Sequence, residues 1–309
     1  MTERSVLPIV ATLCVLAASC SSAQKRDETT DGEAQTVPGV IAATNEPAPI
    51  GKVLADVDGQ IRAWNNLLLT AGTAEERRKA RGLEDSLSMI THKRRAEIIE
   101  QLESGPLANR VIAASALGFT RDVEAQSPLI AALDDSHPDV VGNALLGLML
   151  LGRQDTPLDS ICRLMQSSSD EGVRRNAAQC AASLVNAGAQ ADCVLPAARQ
   201  GLSDDDAGVR SQCILLLGSL VDTTSLPTLC DHLSDPIPLV ASAAARAVAY
   251  IGSKSPPDKG LAARALASAY AQSEEAAELA YLRRALVQLS GKDRGEDPIE
   301  WGKWAQRLP

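Results

Sequence analysis

The sequence predicts an all-α protein, an α-solenoid built from stacked helical hairpins. Two observations predict it. A sequence motif of ten residues, called the phrase below, recurs along the chain, and leucines at helical spacing follow its copies. Copies of the phrase start at Asn109, Val140, Val173, Val209, Leu239 and Leu282. Intervals of about 30 to 45 residues are typical of stacked repeat proteins. Because one such unit cannot bury its own apolar face, neighbouring units are expected to build the core together.

Each copy of the phrase predicts one amphipathic helix. In the copy Val-Arg-Ser-Gln-Cys-Ile-Leu-Leu-Leu-Gly, the apolar residues Val209, Cys213 and Leu216 are three or four positions apart and share one face. The small fifth residue suits a helix that packs closely on its neighbour. Short acidic side chains upstream are typical N-caps. The predicted N-caps are Asp170, Asp206 and Asp235.

A second helix is predicted after each of the first five copies, which makes each of these units a helix-turn-helix hairpin. These second helices are predicted over Glu124–Leu133, Pro157–Met165, Gln190–Leu202, Ser225–Leu233 and Asp258–Ala271.

The phrase resembles the HEAT repeat, in particular its bacterial short form Val-Arg-x-x-Ala-x-x-Ala-Leu-Gly. The resemblance covers residues 106–291 and is weaker where Val141 and Val240 stand in place of the arginine. It implies a right-handed superhelix whose second helices line a concave groove, and it implies no single activity. It also implies that the phrase arginines form a structural ladder along the stack, with acidic or carbonyl partners in adjacent repeats. These arginines are Arg110, Arg174, Arg210 and Arg283.

Residues 1–19 predict a bacterial export signal. Arg4 supplies the positive end, an apolar stretch runs over residues 6–18, and small residues precede Cys20. The stretch is too short to span a membrane. The cysteine at this place resembles the lipobox of bacterial lipoproteins, which implies a lipid on Cys20 and a position in the cell envelope; Ser21 favours the outer membrane. The alternatives are an ordinary signal peptide cut near Ala23 and an uncleaved apolar segment.

Residues 20–51 predict a disordered tether, since they are rich in Ser, Thr, Ala, Pro and Glu and have no apolar periodicity. Residues 52–105 predict three helices that form an N-terminal helical cap on the solenoid. Two of these are predicted at Thr73–Met89 and Thr91–Leu102, after a first helix that contains Trp64. A coiled-coil arm for dimerisation is the alternative for this segment.

Residues 292–309 predict a C-terminal cap. A short helix starting at Asp297 and Pro298 places Trp301 and Trp304 three residues apart on one face. We expect this pair to cover the last repeat as a hydrophobic lid. An exposed aromatic pair that binds a glycan or a peptide is the alternative.

Composition argues against several classes of function. A formal net charge of −9 disfavours binding to phosphate backbones, so no nucleic-acid partner is predicted. His92, His137 and His232 are scattered, and neither a Cys-x-x-Cys pair nor a catalytic motif occurs. The sequence therefore predicts no metal, no cofactor and no catalytic residue.

The cysteines outside the N-terminal segment are odd in number: Cys162, Cys180, Cys193, Cys213 and Cys230. Small buried hydrophobic positions are the commonest place for such residues. The pairs Cys180–Cys193 and Cys213–Cys230 could each cross-link the two helices of one hairpin, and geometry decides between a thiol and a disulfide.

The predicted function is a scaffold for protein partners in the cell envelope, held there by its lipid. Polar residues on the second helices are the predicted groove contacts: Arg163, Arg199, Asp231, His232 and Arg264. A HEAT-like lyase or chaperone with a small ligand in the groove is the first alternative. A self-associating architectural protein of the envelope is the second.

Overall fold

A computed structural model describes residues 48–309, in which every regular element is a helix. This confirms the predicted all-α solenoid. No helix in this range is both long enough and apolar enough to cross a membrane. The predicted signal peptide, the lipid site at Cys20 and most of the predicted tether lie outside the described residues.

Fifteen α-helices follow one another in the described range: α1 (Ile50–Thr70), α2 (Ala74–Lys93), α3 (Arg95–Ser104), α4 (Leu107–Gly118), α5 (Gln126–Ala131), α6 (Pro138–Leu151), α7 (Asp159–Ser167), α8 (Glu171–Asn186), α9 (Val194–Gln200), α10 (Ala207–Ser219), α11 (Leu226–Asp231), α12 (Pro238–Lys254), α13 (Lys259–Gln272), α14 (Ala276–Ser290) and α15 (Pro298–Gln306). Short 3-10 turns extend several second helices, as at Ala132–Asp134 and Gly201–Ser203.

The helices form two layers. The phrase helices α4, α6, α8, α10, α12 and α14 each pack on the next and make one continuous layer, called here the phrase layer. The second helices α5, α7, α9, α11 and α13 lie behind them. At one end, α1 and α3 pack on α4. At the other end, α15 packs on α13 and covers the last second helix.

The N-terminal segment is packed into the stack. Leu54, Val57 and Trp64 of α1 are buried, and the Trp64 ring meets Phe119 edge-on with centroids 5.1 Å apart. Since α4 covers the apolar face of α1, that face is not available for a coiled coil with another chain.

Two of the three predicted N-caps lie where they were expected. Asp170 accepts a hydrogen bond from the N–H of Val173, and Asp206 accepts one from the N–H of Val209. The prediction for Asp235 is wrong. Helix α12 begins at Pro238, because proline fits the first helical position, and Asp235 instead accepts a hydrogen bond from the N–H of Ile237 in the preceding turn.

The fifth copy of the phrase starts one residue later than predicted. Val240 is fully buried, whereas Leu239 is 46% exposed. Val240 is also the third residue of α12, the place that Val173 and Val209 occupy in α8 and α10. Ala241, and not Val240, therefore stands at the arginine position of this copy.

The phrase layer is held together by close backbone approach. Helices α4 and α6 meet at Gly118 and Gly147, where a Cβ atom added to Gly147 would lie 2.5 Å from the carbonyl oxygen of Ala114. A Cβ atom added to Gly218 of α10 would lie 2.8 Å from the Cβ of Ala247 in α12. Small residues at these crossings let neighbouring units share one core.

We predict that Gly147→Ala destabilises the protein by about 1–3 kcal/mol, because the added methyl group meets rigid backbone. Gly82→Ala is the matched control. Gly82 lies in the middle of α2 with nothing within 4 Å of an added Cβ, so alanine there should stabilise by about 0.5–1 kcal/mol. Urea-induced unfolding followed by circular dichroism measures both changes. Equal effects of the two substitutions would contradict the close crossing of α4 and α6.

Candidate functional site

Three phrase arginines bridge consecutive units. Each is the second residue of its copy of the phrase and the fourth residue of its helix, and its guanidinium contacts an aspartate in the turn before the next phrase helix. The pairs are Arg110–Asp135, Arg174–Asp204 and Arg210–Asp235, with Nε to Oδ2 distances of 3.0, 2.7 and 3.2 Å.

The same arginines also bind the turn before their own helix. Arg174 donates to the carbonyl oxygen of Ser168 at 2.9 Å, and Arg210 donates to that of Asp204 at 2.9 Å. Arg110 donates to the carbonyl oxygen of Gly105 at 3.2 Å. Each guanidinium thus joins two successive turns, and the ladder runs along the edge of the stack.

The ladder aspartates are held ionised. Burial opposes the charge on Asp204, but hydrogen bonds from Arg174 and from the N–H of Asp206 outweigh it, so the pKa of Asp204 lies below its ordinary value. The pKa of Asp135 is lowered in the same way, against burial, by Arg110 and the N–H of His137. The pKa of Asp235 is lowered, against burial, by the N–H of Ile237 and by Arg210.

The ladder is interrupted at two places, and both partners change together. Val141 stands at the arginine position of α6, and Ser168 stands where an aspartate would receive it. Ala241 stands at that position of α12, and Ser273 stands opposite. A half-buried charge without its partner is unfavourable, and the change of both positions avoids such an unpaired charge. An aspartate two residues before each N-cap is the sequence pattern that identifies the acidic partners.

Arg283 differs from the other phrase arginines. Its partners lie in the segment that follows α14: Asp293 at 2.8 Å and Glu296 at 3.1 Å. The last arginine therefore fixes the C-terminal cap to α14.

The five predicted groove residues do not converge on one site. Arg163 pairs with Asp134 at 2.6 Å, Arg199 with the buried Asp222 at 2.6 Å, and Arg264 donates to the carbonyl oxygen of Leu308 at 3.2 Å. His232 Nδ1 lies 3.5 Å from Asp235 Oδ2. Asp231 is exposed at the end of α11. Four of the five side chains thus have partners within the chain, in different units.

The groove itself lies on the other layer. Phrase helices pack along one another in every unit, as α10 does on α12, whereas the shorter second helices pack on one another sparsely: α7 meets α9 and α11 meets α13, but α5 and α7, like α9 and α11, barely touch. A stack curves toward the layer in which its helices lie closer, and the concave side of a solenoid is its extended binding surface. The prediction that second helices line the groove is therefore corrected: the concave side belongs to the phrase layer.

We call this side the open face. It consists of the third, fourth, seventh and eleventh residues of each copy. Sixteen of these 24 positions are at least partly exposed, and the other eight, among them Gln179, Ser211 and Gln212, are buried. The copies are counted from Asn109, Val140, Val173, Val209, Val240 and Leu282.

The two C-terminal tryptophans are packed into the cap. Trp301 is fully buried, and its Nε1 donates to the carbonyl oxygen of Gly295 at 3.0 Å. Trp304 meets it edge-on at 6.0 Å and is half-buried, and Arg294 lies over the Trp304 ring at 5.1 Å. Helix α15 therefore does not present an exposed aromatic pair. Its tryptophans pack as a lid over α13.

The repeats can be compared with known proteins on this basis. The sequence profile of the family described as HEAT repeats matches residues 96–182 and 195–288, more than half of the chain. The chain belongs to the HEAT-repeat family. No curated protein matches the sequence.

Solved structures resemble the fold at low identity. The complex of CpcE and CpcF of phycocyanin lyase from Nostoc sp. PCC7120 is 21% identical, with a TM-score of 0.43, over 69% of this chain and 93% of that chain. A computationally designed armadillo repeat protein for modular peptide recognition is 19% identical, with a TM-score of 0.46, over 62% of this chain and 98% of that chain. These likenesses concern the fold alone.

A disulfide joins two adjacent HEAT units. Cys162 of α7 and Cys193, the residue before α9, are bonded with their Cα atoms 6.1 Å apart. Neither pair considered from the sequence forms, because Cys180 and Cys213 lie buried in phrase helices. Burial raises the pKa of Cys180, that of Cys213 to about 12 and that of Cys230 to about 11, so these thiols are poor nucleophiles.

A cleft of about 310 Å³ opens between the ends of α7 and α9. Its lining includes Met165, Gln200 and the ladder pair Arg174 and Asp204. Gln166, Ser203 and Asp205 also line the cleft, so its surface is mostly polar. Within residues 48–309 no cluster of three or more His, Cys, Asp or Glu side chains has the geometry of a metal site.

We predict that Asp204→Asn lowers the free energy of unfolding by about 1–3 kcal/mol at pH 7, since a half-buried guanidinium loses its carboxylate. Asp205→Asn, an exposed neighbour of the same type, is the control and should have little effect. A lowered folded-state pKa stabilises the native state above the unfolded pKa, about 3.9 for aspartate.

The difference between wild type and Asp204→Asn should therefore stay constant from pH 7 to about pH 5 and shrink as the pH falls through the folded-state pKa. Urea unfolding at several pH values measures it. A difference that persists undiminished at the lowest pH would show that the carboxylate charge contributes nothing to the ladder.

Proposed function

We propose that this HEAT-repeat protein is a lipid-anchored scaffold of a bacterial cell envelope, which binds partner proteins along its open face. The observation that carries the proposal is the continuity of that face over six consecutive phrase helices. An extended concave surface suits contacts at many points with another polypeptide. The ladder and the shared core keep the successive helices at fixed spacing, so the face is pre-organised for binding.

Export and anchoring are supported by two independent features. The residues before Cys20 have the pattern of a lipoprotein signal peptide, and a cysteine that carries several acyl chains would hold the protein firmly in a membrane. The bond between Cys162 and Cys193 is of a kind that persists in oxidising compartments such as the bacterial periplasm.

A partner bound on the open face should be captured by site-specific photo-crosslinking in cells. A crosslinking residue is placed at Ser219 or Gln288 on the open face, or at Thr228 or Ser268 on the second helices as matched controls; all four side chains are exposed. We expect one envelope protein to be captured from the open-face positions, in an amount close to that of this protein itself. The control positions should not capture it.

Capture of only a second copy of this chain would favour the architectural alternative. Capture of the same partner from all four positions would remove the open face from the proposal. If no position captures a protein, the scaffold proposal fails and the small-ligand alternative gains support.

The lipid anchor has its own test. Cys20→Ser should move the protein from the membrane fraction to the soluble fraction, because the acyl chains lose their attachment site. Cys230→Ser leaves the anchor intact and is the control. Fractionation and mass spectrometry of the N-terminal peptide measure the result. A Cys20→Ser protein that stays in the membrane fraction would exclude lipidation at this residue as the anchor.

A further inference from the structure

The charges on the open face all have one sign. None of its positions holds Asp or Glu, whereas Arg175, Arg246 and Arg284 occupy it; Lys292 follows the C-cap of α14 and lies outside the helix. The whole chain has a formal net charge of −9. A basic face on an acidic protein attracts acidic ligands to one place, while the rest of the surface repels them.

Two of these arginines are placed to meet a ligand. Arg246 of α12 and Arg284 of α14 are exposed, and their helices pack on each other. Lys254, also exposed, lies over the Tyr250 ring at 5.5 Å on the same stretch of α12. Arg175 is less available, because its Nη1 lies 3.6 Å from Asp206. The basic character is therefore concentrated at the C-terminal end of the open face.

Amide side chains follow the same face toward the other end. Asn143, Asn176 and Gln212 occupy the fourth position on the consecutive helices α6, α8 and α10. An amide both donates and accepts hydrogen bonds, which suits the N–H and C=O groups of an extended peptide. Within the described part of the chain, the Oε1 atom of Gln212 is buried without a hydrogen-bond donor, and Gln212 is only 5% exposed. A ligand on the surface cannot reach this buried atom, so the amides available to a bound segment are those of the partly exposed Asn143 and Asn176.

We propose that the open face binds an extended acidic segment of a partner protein. Asn143 on α6 and Asn176 on α8 hold its backbone, and Arg246 and Arg284 bind carboxylates at one end. This inference rests on the proposed scaffold function and names the chemistry of the partner. Packed helices lie about 8–10 Å apart, and an extended chain advances about 3.3 Å per residue. A segment of roughly a dozen residues would therefore reach from α6 to α14.

The test uses the full chain, purified in detergent, and three fluorescent peptides: (Glu-Thr)6, (Gln-Thr)6 and (Lys-Thr)6. Threonine disfavours helix formation, so the probes remain extended. By fluorescence anisotropy we expect the highest affinity for (Glu-Thr)6, a lower one for (Gln-Thr)6 and the lowest for (Lys-Thr)6. The affinity for (Glu-Thr)6 should fall as salt is added.

The double variant Arg246→Glu with Arg284→Glu should weaken binding of (Glu-Thr)6 about tenfold or more, since two attractive contacts become repulsive. The matched control is Arg78→Glu with Arg307→Glu, which makes the same change of charge at exposed sites away from the open face. It should leave the affinity within about twofold. Asn176→Leu should weaken the binding of (Gln-Thr)6 as well as that of (Glu-Thr)6, because it removes a contact with the peptide backbone.

Equal weakening by the two double variants would overturn the proposal, and so would a failure of all three peptides to bind. A gain of affinity when Asp27, Glu28, Asp31 and Glu33 are changed to alanine would show that the chain's own N-terminal segment competes for the face, and it would overturn the assignment to a partner protein.

The photo-crosslinking experiment keeps this inference separate from the scaffold proposal. A captured envelope protein together with failed peptide binding would reject only the acidic segment. Peptide binding without a captured protein would reject the proposal of an envelope scaffold, but it would still support the open face as a binding surface for acidic peptides.

Discussion

A phrase helix cannot bury its apolar face alone, and the rest of the structure depends on that constraint. The face is completed by the second helix behind it and by the phrase helices on either side, which approach so closely that Gly118 and Gly147 meet nearly backbone to backbone. Stability is then a property of interfaces between units. The arginine ladder acts on the same interfaces, since each guanidinium joins the turns that begin two successive phrase helices.

The fold could be predicted from the sequence because the repeated phrase carries its own helical period, N-caps and small crossing residues. Boundaries failed where a local choice was decided by one residue. Pro238 moved the start of α12 away from Asp235, and burial of Val240 in place of Leu239 shifted the fifth copy by one residue. Both errors arose because the start of a degenerate copy was chosen by its similarity to the other copies. The distance of a residue from the N-cap, however, determines whether it faces the core.

The candidate site was less accessible to sequence reasoning, because it depends on how the layers curve. Arg199 and Arg264 were reasonable groove residues on exposed second helices, yet Arg199 is held by Asp222 and Arg264 by the carbonyl oxygen of Leu308. Distances between layers are set by side-chain volumes along the whole stack, and no single copy of the phrase contains them. The disulfide was hidden for the same reason, since it joins neighbouring units instead of the two helices of one hairpin.

The interruptions of the ladder and the other cross-links complement one another. The interface between α6 and α8 lacks an arginine pair, since Val141 and Ser168 occupy the two positions of the pattern, and there the bond between Cys162 and Cys193 joins the same two units. The interface between α12 and α14 also lacks a pair, and there α15 packs on α13 while Arg283 fixes the C-terminal segment. Three interfaces of the repeat array thus have an arginine pair and one has the disulfide, while the interface between α12 and α14 is covered by the C-terminal cap. A ligand that lies across α6 to α14 would meet a face whose helices hold their spacing at each step, and affinity would not be reduced by ordering the receptor on binding.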